Sequence, residues 1–394
     1  MSVFDSVIGQ EAAVSEFLRA SQDANAVQSG DHSNAMTHAW LVTGPPGSGR
    51  STLALAFAAT LVCSKGGCGS CADCRSVTTD THPDVEHVIP EALIYTVDNA
   101  DALIERAAMA PRRSQWHVIV IEDVDRFQMH AIPKLLRAIE EPPPQTVWVL
   151  CSPTVEDVLP TVRSRCRHVL LNSPSLEMVA TQLENRFGVA HDMAAFASRV
   201  AQGHIGRARA LATDESVRLR RSEILDIPSQ LTTVSACFSA ATRVINAINS
   251  DTDELIAPMD LADEDNVRMV FGDGASGFKS IDRAIKREVK LMEDRFKSRR
   301  RRVLFDQFDR ICLDLTGFYR DVLAVQVGSD AELINSELRP QIEKLAAIGT
   351  VTDTIGRIDA IKQARDQLYA NVTPLLVFES LFVGLRDARL LVAG

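Results

Sequence analysis

Gly44-Pro45-Pro46-Gly47-Ser48-Gly49-Arg50-Ser51 has the frame of a phosphate-binding loop. In such a loop the glycines let backbone N–H groups close on phosphate, a lysine reaches the terminal phosphates, and the hydroxyl holds Mg2+. Here Gly44, Gly47, Gly49 and Ser51 are in place, and Arg50 occupies the lysine position. A guanidinium is a planar fork and an ammonium a compact point charge, so the exchange is not conservative. Glu122-Asp123 ends a β-branched run, where an ATPase places its Mg2+ ligand and its water-polarising carboxylate. The usual order is Asp then Glu. Here it is reversed, which shortens the second carboxylate by a methylene. The blander alternative is an acidic strand end that caps a neighbouring helix. Arg50 and Glu122-Asp123 together read as a degenerate ATP/Mg2+ pocket, in which nucleotide binding is doubtful.

Cys63, Cys68, Cys71 and Cys74 form a second constellation, two overlapping C-x-x-C steps with a cysteine just upstream. Free surface thiols or redox chemistry are the alternatives. Four clustered thiolates in a reducing compartment favour one tetrahedral Zn2+. With four protein ligands the shell is closed, so the zinc is expected to be structural.

These residues need elements to hold them. His38 to Thr43 reads as a strand running into the glycine loop, and Thr52 to Cys63 as the helix after it. His117 to Ile121 and Thr146 to Cys151 read as strands buried on both faces. Between them Ala131 to Glu141 is helical and stops at Pro142-Pro143-Pro144. The alternation gives a parallel α/β sheet with ligands at the strand C-termini. After about Asn172 the strand signals fade. Leu176 to Arg186 and His191 to Gln202 read as short helices, Gly203 to Arg207 opens another, and from Asp214 the chain is helical almost throughout. Leu304, Phe308, Ile311, Leu315, Phe318 and Val322 form an amphipathic stripe. Thr373-Pro374 starts a last helix that is apolar on most sides, as expected for burial in a core or between subunits. Gly272 to Gly277 reads as a flexible loop.

Composition sets bounds. The 394 residues are too many for one core, and 46% hydrophobic with 24% charged is ordinary for a globular protein. A net charge of −10 argues against coating nucleic acid by bulk charge. Met1 to Gln10 carries no signal-peptide pattern, and Pro374 to Leu385, broken by Glu379, is too short to span a bilayer. A cytoplasmic protein without membrane association is expected, its eight cysteines being thiols or metal ligands. Lys279 to Arg302 is a basic run ending Arg299-Arg300-Arg301-Arg302. It is either a DNA-phosphate contact or the solvated face and last turn of a helix.

The phosphate loop, the four cysteines, Thr81-His82-Pro83-Asp84, the helix ending Glu140-Glu141-Pro142-Pro143, and Ser164-Arg165-Cys166 occur in that order. Together they resemble the delta-prime subunits of the bacterial DNA polymerase III clamp loader, within the AAA+ family. Val7-Ile8-Gly9-Gln10 is similar to the family's adenine-side motif. The detailed resemblance covers about the first 215 residues, and the remainder resembles the family only as a helical collar.

The resemblance implies an AAA+ RecA-like parallel sheet with a zinc-binding insertion, then a small helical lid and an all-helical collar. The boundaries that follow are 1–171 for the nucleotide-binding-like domain, with the zinc module at 63–74, then 172–213 for the lid and 214–394 for the collar. It also implies a subunit without ATPase activity of its own, polymerase activity lying in another subunit. The departures at Arg50 and Glu122-Asp123 resemble the non-hydrolysing delta-prime type. Arg165 would reach in trans into a neighbour's ATP site as an arginine finger. The family's lid sensor arginine falls near Gly206-Arg207, with the exact match on Gly206, so Arg207 is given no role. Implied partners are gamma/tau ATPase subunits and a delta subunit in a hetero-pentamer, with the sliding clamp and primed DNA reached through the complex. Two rivals stand beside this: an active gamma/tau-type ATPase, and an unrelated phosphate-loop small-molecule kinase.

Overall fold

The computed structural model describes residues 2–26, 35–90, 94–271 and 283–387. They pack as two units, Met1–Thr213 and Asp214–Gly394, each taken here by itself.

The first unit opens with α1 (Glu11–Ala26), β1 (Ala39–Thr43), α2 (Arg50–Val62) and α3 (Ala72–Thr78). Next come β2 (Val85–Val88), α4 (Val97–Ala107), β3 (His117–Ile121) and α5 (Ile132–Glu140). β4 (Thr146–Ser152), α6 (Pro160–Arg163) and β5 (Arg167–Leu170) complete the α/β part. The five strands lie in the order β2-β3-β4-β1-β5, and every neighbouring pair is parallel. β1, β3 and β4 are buried along their whole length, which is why they read as unbroken apolar runs.

Alternation assigns each side chain to a face. Trp40, Val42, Val118, Val120, Val147 and Val149 enter one core with Phe17 of α1 and Phe57 of α2. Phe17 stacks on Phe57 at 4.2 Å and meets Trp40 edge-on at 5.0 Å. Ile119, Ile121, Trp148 and Leu150 enter the opposite core with Leu103 of α4 and Leu135 of α5. Burying each such side chain contributes about 1.5–3 kcal/mol. The sheet is therefore a rigid base for the loops at its strand ends. Three helices, α7 (Leu176–Phe187), α8 (His191–Ala201) and α9 (Ile205–Thr213), pack on one another and end the unit. Ser175 caps α7 and Gly188, at φ 63°, terminates it.

The second unit is helical: α10 (Glu215–Gln230), α11 (Val234–Phe271), α12 (Arg283–Gln326), α13 (Arg339–Ile348), α14 (Val351–Tyr369) and α15 (Pro374–Leu385). α12 packs against α10, α11, α13 and α14 through Phe308, Ile311, Leu315, Phe318 and Val322, with Leu304 half-buried at the end of the stripe. Buried charges are paired. Arg221 meets Asp314 at 3.1 Å, and Arg357 meets Asp387 at 2.6 Å.

Two readings meet the packing within this unit. α15 is not enclosed on all sides: Val377, Phe378, Leu381, Phe382 and Leu385 are buried, but Leu376 is 58% exposed and Val383 39% exposed. The covered side faces α11 and α14, and Phe378 also meets Phe308 of α12 at 5.4 Å. The arginines ending the basic run are paired within the unit, and do not form a bare cationic face. Arg299 reaches Asp260 at 2.7 Å, and Arg300 reaches Asp253 at 2.9 Å and Asn249 at 3.1 Å. Arg301 bonds Asn371, and Arg302 lies 3.9 Å from Asp306. Two of the four, Arg299 and Arg300, fasten α12 to α11. Gly272 to Gly277 lies outside the described residues. No described helix is long and apolar enough to cross a membrane.

Candidate functional site

β1 delivers the chain into the glycine loop, and Gly49, at φ 94°, turns it into α2. Arg50 and Ser51 stand in the first turn of α2, as a phosphate loop requires. The cation is turned inward. Arg50 Nη1 donates to Gly44 O at 2.7 Å, and Nη2 lies 3.7 Å from Asp123 Oδ1. Asp123 sits at the end of β3 in left-handed backbone, φ 50°, and Arg126 Nε is 3.3 Å from its other oxygen. The Arg50 and Asp123 side chains are only 13% and 14% exposed. Glu122 is engaged too: His87 Nε2 is 2.8 Å from Glu122 Oε1, and the far ring nitrogen is 3.6 Å from Asp80. Every charged group at the phosphate position thus has a partner from the protein itself.

Sequence reasoning missed His204. Gly47, at φ +81°, has its open side against this ring, and a Cβ there would fall 2.2 Å from His204 Cγ. Ile205 N donates to Gly47 O at 3.2 Å, so the α8–α9 turn rests on the glycine loop. Arg207 N donates to His204 Nδ1 at 3.2 Å. His87 and His204 are single residues far from the motifs, and no spacing rule points to them; Arg126 is only three residues beyond Asp123 but belongs to no motif. Only their arrival beside Glu122, Asp123 and Gly47 marks them.

The four cysteines converge. Cys63 ends α2 and Cys71 caps α3, its sulfur accepting from Cys74 N at 3.4 Å. All four sulfurs lie within 4.8 Å of one another. Cys63 Sγ is 3.9 Å from Cys68 Sγ and 3.6 Å from Cys71 Sγ. A disulfide needs about 2.05 Å, whereas sulfurs about 2.3 Å from one tetrahedral zinc stand about 3.8 Å apart. The donor set therefore fits a metal such as zinc. Backbone N–H groups of Ser70 and Cys71 lower the Cys68 thiol to about 6. Burial opposes ionisation of Cys63, but the N–H groups of Cys68, Gly67 and Lys65 together outweigh it.

In Thr81-His82-Pro83-Asp84 the carboxylate is a brace. Asp84 accepts backbone N–H bonds from Arg112 (2.5 Å), Arg113 (2.8 Å) and Ser114 (2.6 Å), in the segment leading into β3. Burial raises its pKa, but these three donors outweigh burial and lower it overall. Burial also lowers the His82 pKa, and its Nδ1 accepts from Asp84 N at 3.1 Å.

Arg165 lies between α6 and β5 and is 38% exposed. Nη1 donates to Thr161 O at 2.7 Å and to Ser164 Oγ at 3.2 Å, and Nε pairs with Glu140 at the end of α5. Among the described residues none of its partners belongs to the glycine loop or to Glu122-Asp123. Burial pushes the neighbouring Cys166 thiol up to about 12, as suits a packing residue and not a nucleophile.

A parallel sheet with a glycine loop between β1 and α2 and acidic residues at the end of β3 defines a phosphate-loop type of α/β protein. Residues 20–175 match the family described as DNA polymerase III, delta subunit. The DNA polymerase III subunit gamma/tau of Mycobacterium tuberculosis is 28% identical over 201 residues, 49% of this chain and 33% of that protein. The subunit delta' of Pseudomonas aeruginosa is 33% identical over 135 residues, 33% of this chain and 41% of that protein. The subunit delta' of Bacillus subtilis is 24% identical over 358 residues, 89% of this chain and 92% of that protein. The chain spans only a third of the length of the mycobacterial gamma/tau relative. The chain is thus similar to DNA polymerase III subunits of both the delta' and the gamma/tau kinds. Similarity alone does not separate those two kinds.

Proposed function

We infer that this chain is a delta-prime-type, non-hydrolysing member of a clamp loader. It supports ATP-driven loading of the sliding clamp onto primed DNA and lends Arg165 to the ATP site of a neighbouring subunit. The observation that carries this is the closed set of partners at the glycine loop. Arg50 is spent on Gly44 O and Asp123, and Glu122 on His87, where a hydrolysing site needs a free cation and a free carboxylate. In this division of labour residues 1–171 form the nucleotide-binding-like domain, 172–213 the lid, and 214–394 the collar that assembles with gamma/tau and delta subunits in a hetero-pentamer. Cys63, Cys68, Cys71 and Cys74 hold a structural Zn2+, whose binding supplies folding energy to the module. The protein works in the cytoplasm, as part of the polymerase holoenzyme.

The gamma/tau relatives favour a second reading, a hydrolysing subunit of the same assembly. The two separate in one experiment. The purified chain is assayed for ATP hydrolysis alone, and then in a complex reconstituted with gamma/tau and delta subunits, primed DNA and the clamp. The expected result is negligible turnover alone and a requirement for the chain in the complex. Turnover alone at the level of the gamma/tau subunits would establish the hydrolysing reading instead.

A further inference from the structure

The helix ending Glu140-Glu141-Pro142-Pro143 is part of the resemblance, yet nothing so far gives Glu140 a task. Its carboxylate pairs with Arg165 Nε. The arrangement uses the guanidinium selectively. A guanidinium has five N–H donors in a rigid fork. The one on Nε faces Glu140, and those on Nη1 face Thr161 O and Ser164 Oγ. Nη2 has no partner among the described residues, and the side chain is 38% exposed. The arginine is therefore gripped on three of its donors, and its Nη2 amino group is left unpartnered among the described residues.

We propose that Glu140 is a positioning residue for Arg165, holding the guanidinium by Nε so that Nη2 is presented to a phosphoryl group on an adjacent subunit. Resting on the trans role of Arg165, it adds which residue aims that arginine and which nitrogen it offers. Preorganisation is the physical gain. A long arginine loses rotamer entropy when it engages a phosphate, and a side chain already held loses less. The pair does little for stability, because water and salt screen an exposed ion pair. Stability and positioning therefore separate cleanly in an experiment.

In the reconstituted complex with primed DNA and clamp, ATP hydrolysis is compared for wild type, Glu140→Ala, Glu140→Gln, Arg165→Ala and the Glu140→Ala/Arg165→Ala double variant. Glu140→Ala should leave thermal unfolding and assembly unchanged. It should lower kcat by roughly twofold to tenfold at the site served, with KM for ATP unaltered. Glu140→Gln keeps an oxygen that can accept from Nε–H and should recover most of the loss. In the Arg165→Ala background Glu140→Ala should cost nothing further. Wild-type turnover in Glu140→Ala, raised turnover, or an equal loss with Arg165 already removed would each overturn the positioning role. If Arg165→Ala itself leaves hydrolysis unchanged, the trans role falls first, and the positioning role falls with it.

Discussion

Two arginines of this chain stand at positions where phosphate chemistry is expected, and they are held in opposite ways. Arg50 is nearly covered, and its fork is turned onto Gly44 O and Asp123. Arg165 is held by Glu140, Thr161 and Ser164 through Nε and Nη1, and its Nη2 has no partner among the described residues. The same guanidinium serves as an internal counter-ion in one place and as an offered donor in the other. What distinguishes them is where the acceptors lie, and a charge is useful to another molecule only where its own protein leaves it a free donor. On the proposed function, a site without chemistry of its own and an arginine offered to a neighbour would share one domain.

That comparison can be strained from several sides. The largest effect is expected from the cysteine module, which hangs from the far end of the helix that Arg50 begins. Zinc-finger peptides gain roughly 10–16 kcal/mol from structural zinc, so metal removal or Cys71→Ser should unfold the module locally. Protein purified without added zinc should carry about one zinc per chain. Hydrogen exchange should then rise across 63–80 on stripping, with the Arg165 segment unaffected. A metal-free chain with an intact module would remove the zinc assignment.

Arg165→Ala comes next. Arginine fingers are worth roughly 10³–10⁵ in rate at the site they serve. DNA-stimulated hydrolysis by the whole complex should fall by less, since other sites keep their own fingers. Arg165→Lys should rescue little, because a point charge cannot both pair through Nε and present a second nitrogen. Hydrolysis at the wild-type rate in both variants would make Arg165 an ordinary surface residue.

A smaller effect is expected at Asp84, which braces the segment leading to β3 and so to Glu122-Asp123. Asp84→Asn keeps one acceptor oxygen and should destabilise the first unit by about 1–3 kcal/mol at neutral pH. The sign with pH is fixed by the lowered pKa. Stability from a depressed carboxylate is fully present above its unfolded pKa, about 3.9, and is lost as pH falls through the lower folded pKa. The gap between wild type and Asp84→Asn in urea unfolding should therefore be constant near neutrality and shrink in strong acid. A gap that widens in acid contradicts the assignment. The smallest effect is expected from Arg50→Lys, which restores the loop's usual residue. No ATP turnover should appear in the isolated chain, because Asp123 stays short and paired with Arg126 while Glu122 stays with His87.

Much of this was legible in the sequence, for physical reasons that are local. The runs His117 to Ile121 and Thr146 to Cys151 are apolar at every step because both sheet faces are covered. The glycine frame and the four cysteines are short-range patterns whose spacing is their chemistry. The last helix was harder. Pro374 to Leu385 is apolar on most sides, and periodicity cannot say which of those sides meets a neighbour. Packing against α11 and α14 leaves Leu376 and Val383 outside. The basic run reads as bare charge only while Asp253 and Asp260 are out of sight on another helix.

The sequence alone therefore determined the order of the elements, the position of a phosphate loop without its lysine, and the four clustered cysteines, because each is written within a few neighbouring residues. Only the tertiary structure decided what those charges do. It set Arg50 against Asp123, His87 against Glu122, His204 over Gly47 and Glu140 beside Arg165. An ion pair or a close contact depends on distance and exposure, and for residues far apart in the chain the fold alone sets both.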